Sequence, residues 1–248
     1  MTDILLINPN TTSSITDLVL KTARRFASKG TTLRAVTGAF GPRYIASRVG
    51  YAVAGHAAVD AFANDRGRKD AVVLACFGDP GLAALKEIAK MPVVGMADAS
   101  ILQACAIGGR FSIVTGGERW QSMLEEFVAS HGLSSRLASI RTVAPTGADI
   151  ARNPKAAMEL LAKGCMACVR EDGADVVILG GAGLAGLAAK LKDSVDAPLL
   201  DGVACAISMA EALAKQKPAK AKRGALALPA PVESIGLSKG LAKLIGSP

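Results

Sequence analysis

Short apolar runs recur along the chain, each closed by a turn signal and followed by a longer stretch of mixed polarity. Residues 71–75 (AVVLA) and 176–180 (VVILG) are apolar throughout rather than alternating, as strands buried on both faces of a parallel sheet are. Residues 4–8 (ILLIN), 32–37, 93–95, 111–115 (FSIVT), 139–143 and 198–201 read as further strands. The spacing predicts helices from Thr11–Ser14 to about 28, then over 52–64, 82–89, 100–107, 119–131, 155–171, to about 192 after a Gly-rich turn at 181–186, and over 203–214. Residues 40–50 form a loop with Tyr44 at its tip. Strands and helices alternate from end to end, which predicts parallel sheets flanked by helices on both faces.

The chain also repeats itself. The segment from Asp70, DAVVLACFGDPGLAA, aligns without gaps on the segment from Asp175, DVVILGGAGLAGLAA. Cys76 falls on Gly181, 105 positions later, while Gly78 falls on Gly183 and Gly81 on Gly186. Such self-similarity predicts two pseudo-symmetric lobes of about 100 residues each. Residues 1–100 and 205–248 are assigned to the first lobe and 101–204 to the second. Ligands of open parallel sheets bind beyond the carboxyl ends of the strands. A cleft between the lobes would then be lined by Asn8, Cys76, Thr115 and Gly181, two from each lobe.

Composition narrows the function classes. Of 248 residues, 50% are hydrophobic and 4% aromatic, so the core is built from Ala, Val, Leu and Ile. No uncharged apolar run reaches 18 residues, which argues against a membrane span. The amino terminus lacks the basic start of a signal peptide, which predicts a cytoplasmic location. Residues 214–248 carry seven basic residues and one acid, six of the net +8 charges. No aromatics interleave them, so they read as a solvated tail and nucleic acid is not an expected partner.

The five cysteines are expected to be reduced. Cys165 and Cys168 fall inside a predicted helix, where Cys acts as a small apolar filler rather than a redox pair. With two histidines and no second cysteine pair, no metal site is expected. Cys76 is different. It ends a buried strand and opens Cys-Phe-Gly-Asp-Pro-Gly before a helix, where amides and a helix dipole are expected to favour a thiolate and to hold a carboxylate, an imide carbonyl or an enolate.

Seven stretches together resemble the cofactor-independent aspartate/glutamate/hydantoin racemase superfamily, and its hydantoin and allantoin racemase branch in particular. They are residues 7–12 (INPNTT), 40–42 (FGP), 75–82 (ACFGDPGL), 92–95 (PVVG), 178–184 (ILGGAGL), 201–203 (DGV) and 222–224 (KRG). The resemblance implies two cysteines facing each other across a small substrate, one thiolate taking the proton from the stereocentre and the other thiol replacing it. It implies no cofactor and a homo-oligomer. The first cysteine is Cys76. The second motif, Gly-Cys-Ala-Gly in the family, reads Gly180-Gly181-Ala182-Gly183 here, and the family's Thr-Thr reads Thr115-Gly116.

Racemisation of a hydantoin- or allantoin-like carbon acid, impaired or altered, is therefore the first expectation. A single-cysteine decarboxylase of a malonate-type acid, like the superfamily's arylmalonate decarboxylase branch, and a non-catalytic binder are the alternatives. Cys205, Tyr44 or a water are candidates for the missing proton donor. Asn8, Tyr44, Ile45, Phe77, Gly78, Thr115, Gly116, Ala182 and Gly183 are the expected substrate contacts. For Asn8 and Thr115 the alternatives are a turn partner and a helix cap. Asp79 reads as a cap for the helix that follows it, and His56 as a surface or packing residue.

Overall fold

The computed structural model describes residues 1–143 and 153–246. In the first half, β1 (Thr2–Asn8), α1 (Ser13–Phe26), β2 (Thr31–Thr37), α2 (Arg48–Asn64), β3 (Ala71–Leu74), α3 (Leu82–Ile88) and β4 (Val93–Gly95) follow one another. Then come α4 (Met96–Ile107), β5 (Phe111–Val114), α5 (Trp120–Ser130), β6 (Leu137–Arg141), α6 (Pro154–Arg170) and β7 (Val176–Leu179). A four-residue α7 (Ala188–Leu191), β8 (Leu199–Asp201), α8 (Gly202–Gln216) and α9 (Lys239–Leu244) complete the described elements.

The strands form two parallel sheets of four, in the orders β2-β1-β3-β4 and β6-β5-β7-β8. The two orders are equivalent, and β3 and β7, the strands of the repeat, occupy matching places. This is the α/β architecture that the alternating pattern predicts. Along β1 successive buried side chains enter different clusters, as the period of two in a strand requires. Leu5 and Ile7 pack outward with α2 and α3 residues such as Phe62 and Leu85. Ile4 and Leu6 face a larger cluster that also holds Phe111, Ile113 and Ile178 of the second sheet. The outer face of the second sheet has its own cluster, with Cys165 and Cys168 of α6 fully buried in it. Burial pushes the Cys165 thiol up to about 12, as suits an inert filler.

The halves exchange helices. α4, which follows the first sheet, packs on β5, β7 and β8, and α8, which follows the second sheet, packs on β1, β3 and β4. Residue 100 lies within α4. α9 returns to α2, where Asn64 Nδ2 donates to Ser238 Oγ at 2.9 Å.

Three local expectations are corrected. α4 begins at Met96, four residues before the expected 100. α2 begins at Arg48 rather than 52, because Ser47 Oγ caps it by accepting from Gly50 N. The Thr11–Ser14 cluster supplies no side-chain cap to α1, since the Thr12 hydroxyl donates to the Arg43 carbonyl instead. Among the described residues no helix is long and apolar enough to cross a membrane.

Candidate functional site

The carboxyl ends of β1, β3, β5 and β7 meet at a cavity of about 280 Å3 between the halves. From the first half come Asn10, Ile15, Tyr44, Ile45, Cys76 and Phe77. From the second come Thr115, Gly116, Gly117, Trp120 and the run from Gly180 to Leu184. Nine of the eleven residues singled out in the sequence thus lie on one wall system. Tyr44 stands exposed at the rim and Ile45 is buried beneath it. Asn10, Ile15, Gly117, Trp120, Gly180 and Leu184 were not foreseen. Asn10 carried a signal, as the second Asn of Asn8-Pro9-Asn10, and Gly180 and Leu184 lie in the stretch 178–184, whereas Ile15, Gly117 and Trp120 carried none.

Asn8 and Gly78 are corrections. Asn8 is 1% exposed and spends its amide on the turn. Its Nδ2 donates to Asn10 Oδ1, Thr12 O and Thr16 Oγ1, and its Oδ1 accepts from Asn10 N. These bonds hold Asn10 in the wall, so the turn-partner alternative is the one realised for Asn8. Gly78 lies behind the wall at φ +106, where a Cβ would stand 2.5 Å from Trp120 Cζ3, and its carbonyl accepts from Tyr51 Oη at 2.8 Å. Cys205 is also absent from the wall. It is buried in the core on α8.

Close approach of the two halves depends on small residues. A Cβ at Gly180 would meet Phe77 Cε1 at 2.6 Å, so the Phe77 ring of one half rests directly on the backbone of the other. Gly181, at φ +143, is in the region that favours glycine. It is not crowded. The nearest atoms to a Cβ there are Leu184 Cγ at 3.8 Å, Leu184 Cδ1 and, at 3.9 Å, Thr115 Oγ1.

The wall is polar in places but uncharged. Among the described residues no Asp, Glu, Lys, Arg or His lines it. Its protic side chains are Asn10, Tyr44, Cys76, Thr115 and Trp120, and Trp120 Nε1 is engaged with the Ile45 carbonyl at 3.0 Å. The amides of Gly116, Gly117 and Gly181 have no acceptor among the described residues. Unbonded backbone amides are the kind of donor that stabilises a developing oxyanion.

Cys76 is 8% exposed, and the expected thiolate is not its resting form. Burial, and secondarily the Asp79 charge, push its thiol well up. Helix α3 is too short and starts too late, at Leu82, to outweigh this. Asp79 does not cap α3 with its side chain. Its carboxylate accepts from Ala97 N at 3.0 Å and Asp98 N at 2.7 Å, capping α4 instead.

Residues 4–210 match a family model described as Asp/Glu/Hydantoin racemase. The chain is 37% identical over 212 residues to a hydantoin racemase of Paenarthrobacter aurescens, covering 85% of this chain and 90% of the relative. The crystal structure of an allantoin racemase from Pseudomonas fluorescens superposes with a TM-score of 0.91 at 32% identity, covering 95% of this chain and 100% of that one. Arylmalonate decarboxylase shares the fold alone, at 16% identity and a TM-score of 0.61 over 90% of this chain and 96% of that one.

Proposed function

Because the chain belongs to the Asp/Glu/Hydantoin racemase family, we propose that its cavity takes a hydantoin- or allantoin-like carbon acid, and that Cys76 moves the proton on the stereocentre from one face only. The observation that carries this reading is the asymmetry of the wall. Cys76 follows β3 and lines it, whereas the matching place after β7 is Gly181, which has no acid or base in its side chain. A neutral imide ring suits an uncharged wall. Free amino acids and malonate-type dianions would enter without a counter-charge, at a high desolvation cost.

The chemistry is balanced within one thiol. Cys76, as thiolate, takes the proton from the carbon next to the ring carbonyl, and the electron pair passes into that carbonyl. The Gly116, Gly117 and Gly181 amides, unbonded among the described residues, would stabilise the resulting enolate. The thiol then returns a proton to the same face, and exchange of that proton with water leaves the configuration unchanged. Inversion needs a donor on the Gly181 side. Burial of the empty site disfavours the thiolate, so turnover is expected to be slow.

The test is proton exchange by NMR in deuterated buffer, with optical rotation followed in parallel. Optically pure 5-substituted hydantoin and allantoin are the probes, with enzyme-free buffer as the control. The chain is expected to exchange with retention, Cys76→Ser to lose exchange, and Gly181→Cys to gain racemisation. Absence of exchange in both the chain and Gly181→Cys, with either compound, removes the racemase reading. Binding detected as ligand-dependent stabilisation would then favour a non-catalytic binder.

A further inference from the structure

Asp79 is a buried acid that the one-thiol scheme does not use. It is 2% exposed and sits at φ +53, in the left-handed region that Asp tolerates better than most residues. It grips the Cys76 turn at two ends. Its own N–H donates to the Cys76 carbonyl at 3.1 Å. Its carboxylate reaches the first turn of α4, at 3.0 Å from Ala97 N and 2.7 Å from Asp98 N. The niche is shaped for it, since a Cβ at Gly95 would collide with the Asp79 carboxylate. α4 in turn packs on the second sheet, which carries the opposite wall of the cavity.

We propose that Asp79 is a positioning residue for Cys76: it docks the Cys76–Gly81 turn on the amino terminus of α4 and places a carboxylate in the turn that carries the thiol. This rests on the reading of Cys76 as the acid/base. The charged and titratable groups around the pair are few. Lys86 of α3 binds Asp98 at 2.7 Å, His131 after α5 approaches the other Asp98 oxygen at 3.2 Å, Tyr51 of α2 reaches the Gly78 carbonyl, and Tyr44 faces Cys76 across the cavity rim. Asp98 opposes ionisation of Asp79 and Lys86 favours it, while Cys76 feels Asp79 as its neighbouring charge.

The test reads Cys76 directly and needs no substrate. The full chain and Asp79→Asn are treated with iodoacetamide between pH 5.5 and 9.5, a range that spans the titration of Asp79 at about 7. Labelling is resolved by site with mass spectrometry, because Cys105 is also partly accessible. Asp79→Asn is expected to speed Cys76 labelling above pH 8 about three- to tenfold by relieving like-charge repulsion, and to leave the rate unchanged below pH 6, where Asp79 is neutral in both proteins. A looser turn alone would raise the rate by the same factor at every pH. Asp79→Ser, whose hydroxyl caps a helix without charge, should reproduce the pH-dependent gain. A gain that is absent or independent of pH in either folded variant overturns the proposal, and failure of both to fold reduces Asp79 to a structural residue and overturns it as well. A pH-dependent gain with no proton exchange in any variant would keep this inference and remove the racemase reading.

Discussion

Trp120 Nε1 donates to the Ile45 carbonyl at 3.0 Å, tying α5 of the second half to the loop that carries Tyr44 over the cavity. Both residues line the cavity and both are buried, Trp120 at 6% and Ile45 at 3% exposure. The Arg48–Glu126 ion pair joins α2 to α5 in parallel, but it is solvent-exposed and contributes little. The indole thus anchors the loop to the second half, while Thr12 Oγ1 on the Arg43 carbonyl and Thr11 N on the Pro42 carbonyl anchor it to the first.

Trp120→Phe keeps most of the ring and removes the donor, leaving the buried Ile45 carbonyl without its partner. Such a loss costs about 1–3 kcal/mol. If it falls on the closed form of the loop, KM for a 5-substituted hydantoin rises by about tenfold while kcat changes less. Steady-state exchange kinetics would show this split. An unchanged KM would mean that the loop is held by other contacts.

Gly78→Ala tests the same contact from below. The new Cβ would stand 2.5 Å from Trp120 Cζ3 at a backbone φ of +106, so the ring and the turn must both move. The variant should lose roughly 1–3 kcal/mol of stability. For a chain of this length, that lowers Tm by several degrees. Calorimetry of the two proteins decides it, and equal midpoints would contradict the packing described.

The repeat made much of this site legible in advance. Residues 71–75 and 176–180 hold the matching strands β3 and β7, and the residues just beyond them, Cys76 and Gly181, line one cavity from opposite halves. What stayed hidden was long-range or side-chain specific. α4 starts at Met96 because its cap, Asp79, lies 17 positions earlier in the chain, whereas capping rules look to adjacent residues. The second-half counterpart of α3 breaks into a 3-10 turn at Ala182–Leu184 and the short α7, with Gly186 at φ +83 between them. Trp120 became part of the wall only through the packing of α5, which no local pattern announces.

Asn8 and Asn10 separate by the same logic. Asn8→Ala removes the amide that links the end of β1 to Asn10, Thr12 and Thr16. It should destabilise the fold by about 1–3 kcal/mol. Asn10 Oδ1 is held by Asn8 Nδ2 and Thr12 N, while its own Nδ2 has no acceptor among the described residues and remains available to a ligand carbonyl. Asn10→Asp replaces that donor by an acceptor. Binding of a neutral imide should weaken about tenfold, the loss of roughly one hydrogen bond. Urea unfolding and ligand titration on both variants check the division. A stable Asn8→Ala that binds weakly would return Asn8 to the site.

Asp79 makes the stability of the fold depend on pH in an unusual sense. Burial, with Asp98 adding to it, raises its carboxyl from 3.8 to about 7, against the amides of Asp98 and Ala97 and the charge of Lys86, which lower it. An acid whose folded value is raised binds more protons in the native state than in the unfolded chain between those two values. Its contribution is fully present below about 4 and is lost as pH rises through 7, the reverse of a salt-bridged carboxylate. Other carboxylates run the other way. Asp65 and Asp172, paired with Lys69 and Arg141 among others, are held below their ordinary value and lose their contribution in acid. The Asp79 effect is therefore read as a difference. Between pH 4 and 7 the stability of the chain should fall relative to that of Asp79→Asn, and above pH 8 the two curves should run parallel. Urea unfolding at pH 5, 6.5 and 8.5 measures it. Curves that are parallel over the whole range would mean that Asp79 is ionised in the native protein throughout, with the α4 amides outweighing its burial.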